Sequence, residues 1–158
     1  MQKKYLTKEQ AIQKAKQYCA YQERSHHEVV QKLWDLGVRK AEHDEIISVL
    51  IEEDYLNEER FAKAFVGGKF RMLEWGKKKI YYALKEKGVS EYNIKKGMKE
   101  IDEAAYQKTL YEIAEKKYAS LKAEQYMVRK KKTADYLMQK GYEPQMITTV
   151  LQEISTKD

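Results

Sequence analysis

Apolar side chains recur every three or four positions along the chain, which is the spacing of one face of an α-helix. One clear stripe runs through Leu110, Ile113, Ala114 and Tyr118. The other stripes share this spacing: Ala11, Ala15, Tyr18 and Cys19; Val30, Leu33 and Trp34; Ile46, Val49 and Leu50; Phe61, Phe65 and Val66; Ile80, Tyr81 and Leu84; Ile147, Val150 and Leu151. One proline and seven glycines in 158 residues leave few positions that interrupt a helix. The pattern predicts an all-α protein.

Polar residues of the kind that start helices stand between these stripes. Thr7 with Gln10, and Ser25 with Glu28, have the spacing of capping boxes, in which each side chain bonds the other residue's backbone N–H. Further start signals are two N-cap residues and a proline suited to a first helical turn: Asn57, Ser90 and Pro144. These signals divide the chain into short helices.

Three glycines that follow apolar stripes reveal a repeat. Gly37, Gly88 and Gly141 lie 51 and 53 residues apart, and each suits the left-handed conformation that ends a helix. A leucine stands four residues before each glycine: Leu33, Leu84 and Leu137. A three-helix unit of about 50 residues buries little apolar surface by itself, so neighbouring units should share a core. We therefore predict three tandem three-helix repeats, 1–56, 57–101 and 102–158, stacked without flexible linkers in an elongated, curved array.

Two adjacent glycines fall inside the first predicted helix of the second repeat. Gly67 and Gly68 together cost that helix about 2 kcal/mol relative to alanines. Close packing of another helix or a bend would explain them, and we expect close packing.

The charge of the chain is unevenly distributed. Residues 57–101 contain 12 basic and 6 acidic side chains, against 9 and 10 in residues 1–56 and 10 and 9 in residues 102–158. The net charge of +6 therefore comes entirely from the middle repeat, because the net charges of the two end segments, −1 and +1, cancel. A localised positive field attracts polyanions or acidic protein surfaces.

The basic side chains that we predict to meet a partner or DNA form three groups: Lys69, Arg71, Lys77, Lys78 and Lys79; Lys95 and Lys96; Arg129, Lys130, Lys131 and Lys132. Lysines at a helix N-terminus oppose the helix dipole, at a cost of about a few tenths of a kcal/mol each. Their placement there favours a binding role over solubility alone. Consecutive lysines spread around a helix, so not all of them can touch one partner.

Neither the N-terminus nor any internal segment indicates a membrane or secreted protein. No apolar run approaches the roughly 18 residues that span a bilayer, and the first residues lack the apolar stretch of a secretory signal. Cys19 is the only cysteine and cannot form an internal disulfide, and its helical spacing from Ala15 indicates a small buried side chain. We predict a cytoplasmic protein.

No arrangement of residues indicates catalysis. His26 and His27 are adjacent on a predicted helix and point about 100° apart, so they do not readily share a metal ion. The carboxylates at 52–54 and 58–59 lack a second converging set, and no phosphate-binding loop or dinucleotide fingerprint is present. We predict no enzyme activity, no cofactor and no metal site.

Three-helix units also occur in helix-turn-helix DNA readers, whose third helix enters the major groove. In the first repeat that helix is acidic, and residues 143–154 of the third repeat contain no lysine or arginine. Sequence-specific reading by all three repeats is therefore not expected. Tyr81 and Tyr82 lie beside a lysine triplet and suit base stacking, but the spacing of Tyr81 from Leu84 favours a place at the core.

Two stretches of the chain resemble the RecX family. Residues 21–37, with Ser25, Glu28, Leu33 and Gly37, resemble its first repeat, although Gln22 stands where the family has arginine. Residues 49–62 resemble its Gly-Tyr-Leu-Asp-Asp-x-Arg-Phe-Ala segment, with an aspartate in place of the glycine and Asn-Glu in place of the acidic pair. The likeness continues to residue 89 and is weaker over the third repeat. It implies a protein that lies in the groove of the RecA nucleoprotein filament and modulates, usually inhibits, that recombinase.

Three functions remain open at this point. The first is a monomeric regulator of the RecA filament, whose contacts along the repeats add avidity. The second is an architectural nucleic-acid binder with weak, salt-sensitive phosphate contacts. The third is a helical scaffold for another protein, with lysines that serve solubility.

Overall fold

The computed structural model describes residues 6–157, and this part of the chain contains nine α-helices and no strand. The helices are α1 (Lys8–Tyr21), α2 (His26–Asp35), α3 (Lys40–Glu52), α4 (Glu58–Leu73), α5 (Lys77–Glu86), α6 (Glu91–Met98), α7 (Glu103–Ser120), α8 (Tyr126–Lys140) and α9 (Pro144–Thr156). The predicted all-α class is confirmed.

Local side-chain bonds start the helices where the sequence predicts. Capping boxes at Thr7 and Ser25 are both complete. Asn57 accepts a 2.9 Å bond from the backbone N–H of Arg60, and the Ser90 hydroxyl accepts one of 3.2 Å from the N–H of residue 93. Pro144 lies in the first turn of α9. These groups satisfy backbone donors that have no partner inside the helix.

The same hydrogen-bonded turn ends one helix of each repeat. Gly37, Gly88 and Gly141 have φ of 77°, 78° and 100°. In each turn the residue after the glycine donates its N–H to the carbonyl of the leucine four residues before the glycine, at 2.9, 3.1 and 3.2 Å. Such a bond, with a left-handed residue inside it, is the Schellman motif. The predicted helix ends are confirmed.

The chain forms two compact units, which divide the second repeat between them. The described part of unit 1 comprises residues 6–65 and 84–97, and that of unit 2 comprises residues 66–83 and 98–157. Helices α1, α2 and α3 pack pairwise within unit 1, and α7, α8 and α9 do so within unit 2. The helices α4 and α5 each contribute to both units. The repeat boundaries at residues 56 and 101 stay a prediction.

In unit 1, the buried face of α2 differs from the predicted stripe of Val30, Leu33 and Trp34. Helix α2 buries Val29 and Leu33 completely, whereas Trp34 is 48% exposed. Residues four apart share a helix face, so burying Val29 with Leu33 turns residue 34 outward. Trp34 lies edge-on to His43, with ring centroids 4.8 Å apart, and the imidazole Nε2 of His43 lies 3.0 Å from the Val38 carbonyl oxygen.

The core of unit 2 follows the predicted stripes closely. Leu110, Ile113, Ala114 and Tyr118 of α7 are buried. They pack with buried side chains of the last two helices: Leu137, Ile147, Val150, Leu151 and Ile154. The apolar spacing alone therefore identified the buried face of α7 and α9.

The expectation for the adjacent glycines of α4 is wrong. A Cβ on Gly68 would meet no atom within 4 Å. A Cβ on Gly67 would first meet the guanidinium of Arg71, at 2.6 Å, and Arg71 lies one turn later in the same helix. Gly67 thus makes room for a side chain of its own helix, and Gly68 borders open space.

Cys19 is expected to resist thiol reagents in the folded protein. It is 6% exposed, and burial raises the pKa of its thiol to about 11. Because the thiolate is the reactive form, the reactive fraction at pH 8 is about 0.1%. We expect labelling by a disulfide reagent at pH 8 to be at least about a hundredfold slower than in urea. Equal rates in both conditions would contradict the burial.

Candidate interaction surface

The turn between α4 and α5 positions the largest predicted basic group. Within unit 2 this turn pairs with the end of α8: the Gly76 N–H donates to the Lys140 carbonyl at 2.7 Å, and the Lys78 N–H donates to the Gly141 carbonyl at 2.9 Å. The ammonium of Lys140 also donates to the Leu73 carbonyl, which ends α4, at 2.7 Å. The start of α5 is therefore fixed against α8.

Lys77 is occupied inside unit 2. Its ammonium pairs with Glu103 at 2.7 Å and lies 4.5 Å from the ring centroid of Tyr106. Its backbone N–H donates to the Tyr106 hydroxyl at 2.9 Å. An ammonium that already contacts a carboxylate and an aromatic ring gains less binding energy from a further partner.

Two of the other predicted cations lie close to the indole ring of Trp75. The ammonium groups of Lys69 and Lys79 lie 5.1 and 4.5 Å from the ring centroid of Trp75. Lys78 is exposed, and its ammonium has no ion pair among residues 6–157. Arg71 is exposed as well, with its guanidinium folded against Gly67. At this corner Lys78 is the cation that the fold uses least.

The second predicted group in unit 2 lies in the first turns of α8, which begins three residues before Arg129. Arg129 points back to α7: its Nε donates to the Tyr118 carbonyl at 2.8 Å, and its guanidinium lies 3.6 Å from the Tyr118 ring centroid. Lys131 pairs with Asp135 at 3.0 Å. Lys130 lies over the ring of Tyr126, and Lys132 pairs with Glu124.

The two groups of unit 2 do not converge. The backbone N–H of Lys78 is hydrogen-bonded to Gly141 at the C-terminal end of α8, whereas Arg129 and Lys132 lie near the N-terminal end of that helix. Gly141 follows Lys132 by nine positions, which corresponds to about 13 Å along the helix axis. A partner that contacts both groups must therefore extend along α8.

The remaining predicted cations, Lys95 and Lys96, lie on α6 in unit 1. Lys95 is exposed and has no ion pair in the described part of the chain. The ammonium of Lys96 lies 5.4 Å from the ring centroid of Tyr92, which is 67% exposed. The binding role of all eleven predicted cations stays a prediction, and the structure separates those held by carboxylates from those left open.

A basic groove between α1 and α2 of unit 1 was not predicted from the sequence. Its walls include Lys14, Tyr18 and Tyr21 of α1, the connecting Arg24, and Lys32 of α2, and it encloses about 310 Å³. The signal was present, because residues 14, 18 and 21 have the spacing of one helix face. The negative net charge of residues 1–56 concealed this local positive cluster.

Two further features bear on the possible chemistry. Among residues 6–157, no three histidine, cysteine or acidic side chains lie close enough to hold a metal ion together. Within that range, no helix combines the length and the apolar character that crossing a bilayer requires.

Comparison with known proteins connects this architecture to one family. The model of the RecX second three-helix domain matches residues 57–98, and that of the RecX third three-helix domain matches residues 104–151. The crystal structure of RecX from Lactobacillus salivarius superposes with a TM-score of 0.84 at 25% identity, covering 94% of this chain and 97% of that chain.

Two relatives, both named regulatory protein RecX, align over most of the chain. That of Chlorobium phaeobacteroides is 30% identical over 132 residues, which cover 84% of this chain and 85% of the relative. That of Bacillus cytotoxicus is 30% identical over 154 residues, which cover 98% of this chain but 54% of the relative. The chain thus spans about half the length of the second relative. By the family models, the shared fold and these identities, the chain belongs to the RecX family.

Proposed function

We propose that this protein binds the RecA nucleoprotein filament and inhibits its ATPase, recombinase and coprotease activities in DNA repair. The observation that carries the proposal is membership of the RecX family. The surface supports it through exposed cations that have no carboxylate partner among residues 6–157, chiefly Lys78 and Lys95. Such side chains suit an acidic protein surface or the phosphates of filament-bound DNA.

The repeated architecture supports a binding mode with several modest contacts. Exposed cations occur on α5 and on α6, and further basic side chains line the start of α8. Once one contact has formed on a polymer, the next becomes intramolecular, so weak contacts add avidity. Occupation of the filament groove would exclude duplex DNA and other substrates. In this proposal the protein is a cytoplasmic monomer that acts by binding, without catalysis.

The direct test measures RecA ATPase activity and strand exchange on single-stranded DNA at increasing concentrations of this protein. We expect both activities to fall as the protein saturates the filament. Unchanged activities at saturation, with the protein bound in a co-sedimentation assay, would leave filament binding standing and remove inhibition. Absence of co-sedimentation would remove the proposal entirely.

Neutralising the two open lysines is expected to weaken filament binding. The double variant Lys78→Gln, Lys95→Gln should raise the dissociation constant about fivefold to thirtyfold, because each exposed charge contributes about 0.5–1 kcal/mol. The matched control is Lys8→Gln, Lys16→Gln, which removes the same charge from lysines that already pair with Glu45 and Glu53. Equal weakening by both variants would show that net charge alone matters.

A second candidate function is architectural binding of nucleic acid through phosphates. The exposed ammonium groups of Lys78 and Lys95, which form no ion pair within the described range, support it as well. It requires DNA affinity in the absence of RecA that falls steeply with salt. A gel shift without RecA at two salt concentrations separates the candidates, since a filament regulator needs no such affinity.

A further inference from the structure

The lysines of α1 differ in their ion pairing within unit 1. On α1, Lys8 and Lys16 pair with carboxylates of the α3 region, Glu45 and Glu53. Lys14, the remaining lysine of that helix, lines the groove and has no carboxylate partner among residues 6–157. Charges paired across α1 and α3 are screened, whereas a charge left open in a concave site attracts an anion.

The other two cations of the groove are placed by a tyrosine. The guanidinium of Arg24 lies 3.7 Å from the ring centroid of Tyr18, and its Nε donates to the Tyr18 carbonyl at 3.0 Å. The ammonium of Lys32 lies 5.2 Å from the same ring. Neither cation has an ion pair in the described part of the chain. Together with Lys14, the groove therefore has three cations and no carboxylate in its walls.

A second tyrosine provides an open aromatic face beside these cations. Tyr21, the last residue of α1, is 82% exposed, and its ring centroid lies 5.9 Å from the guanidinium of Arg24. A planar base can stack on such a ring, with a gain of about 1–3 kcal/mol.

The same arginine–tyrosine pair occurs in unit 2, where it is closed. There Arg129 lies 3.6 Å from the ring centroid of Tyr118 and donates to its carbonyl, and Tyr118 is only 2% exposed. Tyr18 is half-buried and lines an open groove. The buried arginine–tyrosine pair of unit 2 therefore stabilises the fold. The pair of unit 1 lies in an open groove together with two lysines and an exposed ring.

We propose that the α1–α2 groove binds a nucleoside phosphate, with the phosphate against its three cations and the base on the ring of Tyr21. The cavity of about 310 Å³ is of the size that holds small ligands. A continuous single strand fits less well, because strand binding needs a basic track. Glu28 and Asp35 of α2 carry negative charge close to Tyr18 and would repel further phosphates. This inference is independent of the proposed function.

The test is an amide NMR titration of the full chain with adenosine 5′-monophosphate at low salt. We expect saturable shifts confined to residues 14–36, with a dissociation constant on the order of 0.1–1 mM. Inorganic phosphate and adenosine, titrated separately, should each bind at least about tenfold more weakly than the nucleotide. Equal binding of inorganic phosphate would mean an adventitious ion only, and would overturn the proposal.

Variants of side chains outside the buried core test the same site without unfolding the protein. Tyr21→Ala should weaken nucleotide binding about fivefold or more, and Lys14→Gln with Lys32→Gln about tenfold or more. Tyr92→Ala is the matched control, since Tyr92 is an exposed tyrosine beside a lysine on another helix of unit 1. It should leave binding unchanged.

The same titration distinguishes the other classes of ligand. A deoxythymidine oligonucleotide that binds at least a hundredfold more tightly than the mononucleotide would assign the groove to a strand and overturn the proposal. An acidic peptide that displaces the nucleotide and keeps its affinity in Tyr21→Ala would assign it to carboxylates, with the same consequence. The proposal is supported if the oligonucleotide binds less than a hundredfold more tightly than the mononucleotide and the acidic peptide does not displace the nucleotide.

Discussion

Replacing Gly76 by alanine is expected to lower the free energy of unfolding by about 3 kcal/mol, the upper range for overpacking a buried site. An added Cβ would lie closer than 3.0 Å to the carbonyl carbon and oxygen of Gly141 and to the amide nitrogen of Tyr142. All three atoms belong to the backbone, so no side-chain rotation relieves the clash. Gly76 is a position where two chain segments meet too closely for any side chain.

The clash also opposes the hydrogen bonds that define this corner. Separation of the segments would lengthen the bond from the Gly76 N–H to Lys140 and the bond from the Lys78 N–H to Gly141. Each buried backbone group that loses its partner costs about 1–3 kcal/mol. Because Lys78 lies in this pairing, the substitution should also displace the most open cation of the candidate surface.

The measurement is thermal unfolding followed by circular dichroism. For a chain of this size, about 3 kcal/mol corresponds to a fall in Tm of about 6–12 °C. Gly68→Ala is the matched control, because a Cβ there meets nothing within 4 Å and the helix gains about 1 kcal/mol. A variant Gly76→Ala that melts at or above the wild-type temperature would contradict the close approach.

Features set by neighbouring residues in the chain were predictable from the sequence. The N-caps at Ser25 and Asn57 and the left-handed Gly141 depend on bonds that span at most five residues. Their residue types are selected by backbone geometry at a helix end, so composition and spacing reveal them. The repeat followed from the same signals, since each glycine turn recurs with its leucine.

Features set by distant residues were not predictable. Lys77 and Lys78 are adjacent and chemically identical, yet Lys77 meets Glu103 while Lys78 has no ion pair among residues 6–157. Likewise, the lysine-rich start of α8 contains Arg129, which the fold directs to Tyr118. Charge counts along the chain do not show which cations form ion pairs or hydrogen bonds in the fold. The predicted basic surface therefore included side chains that the fold holds internally.

The α1–α2 groove shows the opposite error. Its three cations belong to a segment with 9 basic and 10 acidic side chains, so the segment as a whole gives no basic signal. The positive cluster exists because carboxylates elsewhere pair with Lys8 and Lys16 and leave Lys14 open. Local electrostatics therefore depends on pairing in three dimensions, which average charge cannot represent.

Removing the Tyr106 side chain is expected to have the largest effect on unit 2. Tyr106 is fully buried and packs against Phe70 and Tyr142, with ring centroids 5.8 and 5.2 Å away. Its hydroxyl accepts from the Lys77 N–H and donates to Glu143 at 2.8 Å. Burial raises the pKa of this phenol far above its ordinary value, so the hydroxyl keeps its proton and remains a hydrogen-bond donor to Glu143. One side chain thus joins α7 to the starts of α5 and α9.

Two substitutions separate packing from hydrogen bonding at this site. Tyr106→Ala should lower the free energy of unfolding by about 4 kcal/mol, as for other buried aromatic side chains, and lower Tm by about 8–16 °C. Tyr106→Phe keeps the ring but leaves the Lys77 N–H and the Glu143 carboxylate without this partner, so about 2 kcal/mol should be lost. Tyr82→Ala, at a ring 62% exposed on α5, should change stability by less than about 0.5 kcal/mol. If Tyr106→Phe proved as stable as the wild type while Tyr106→Ala unfolded, the hydroxyl would have no structural role.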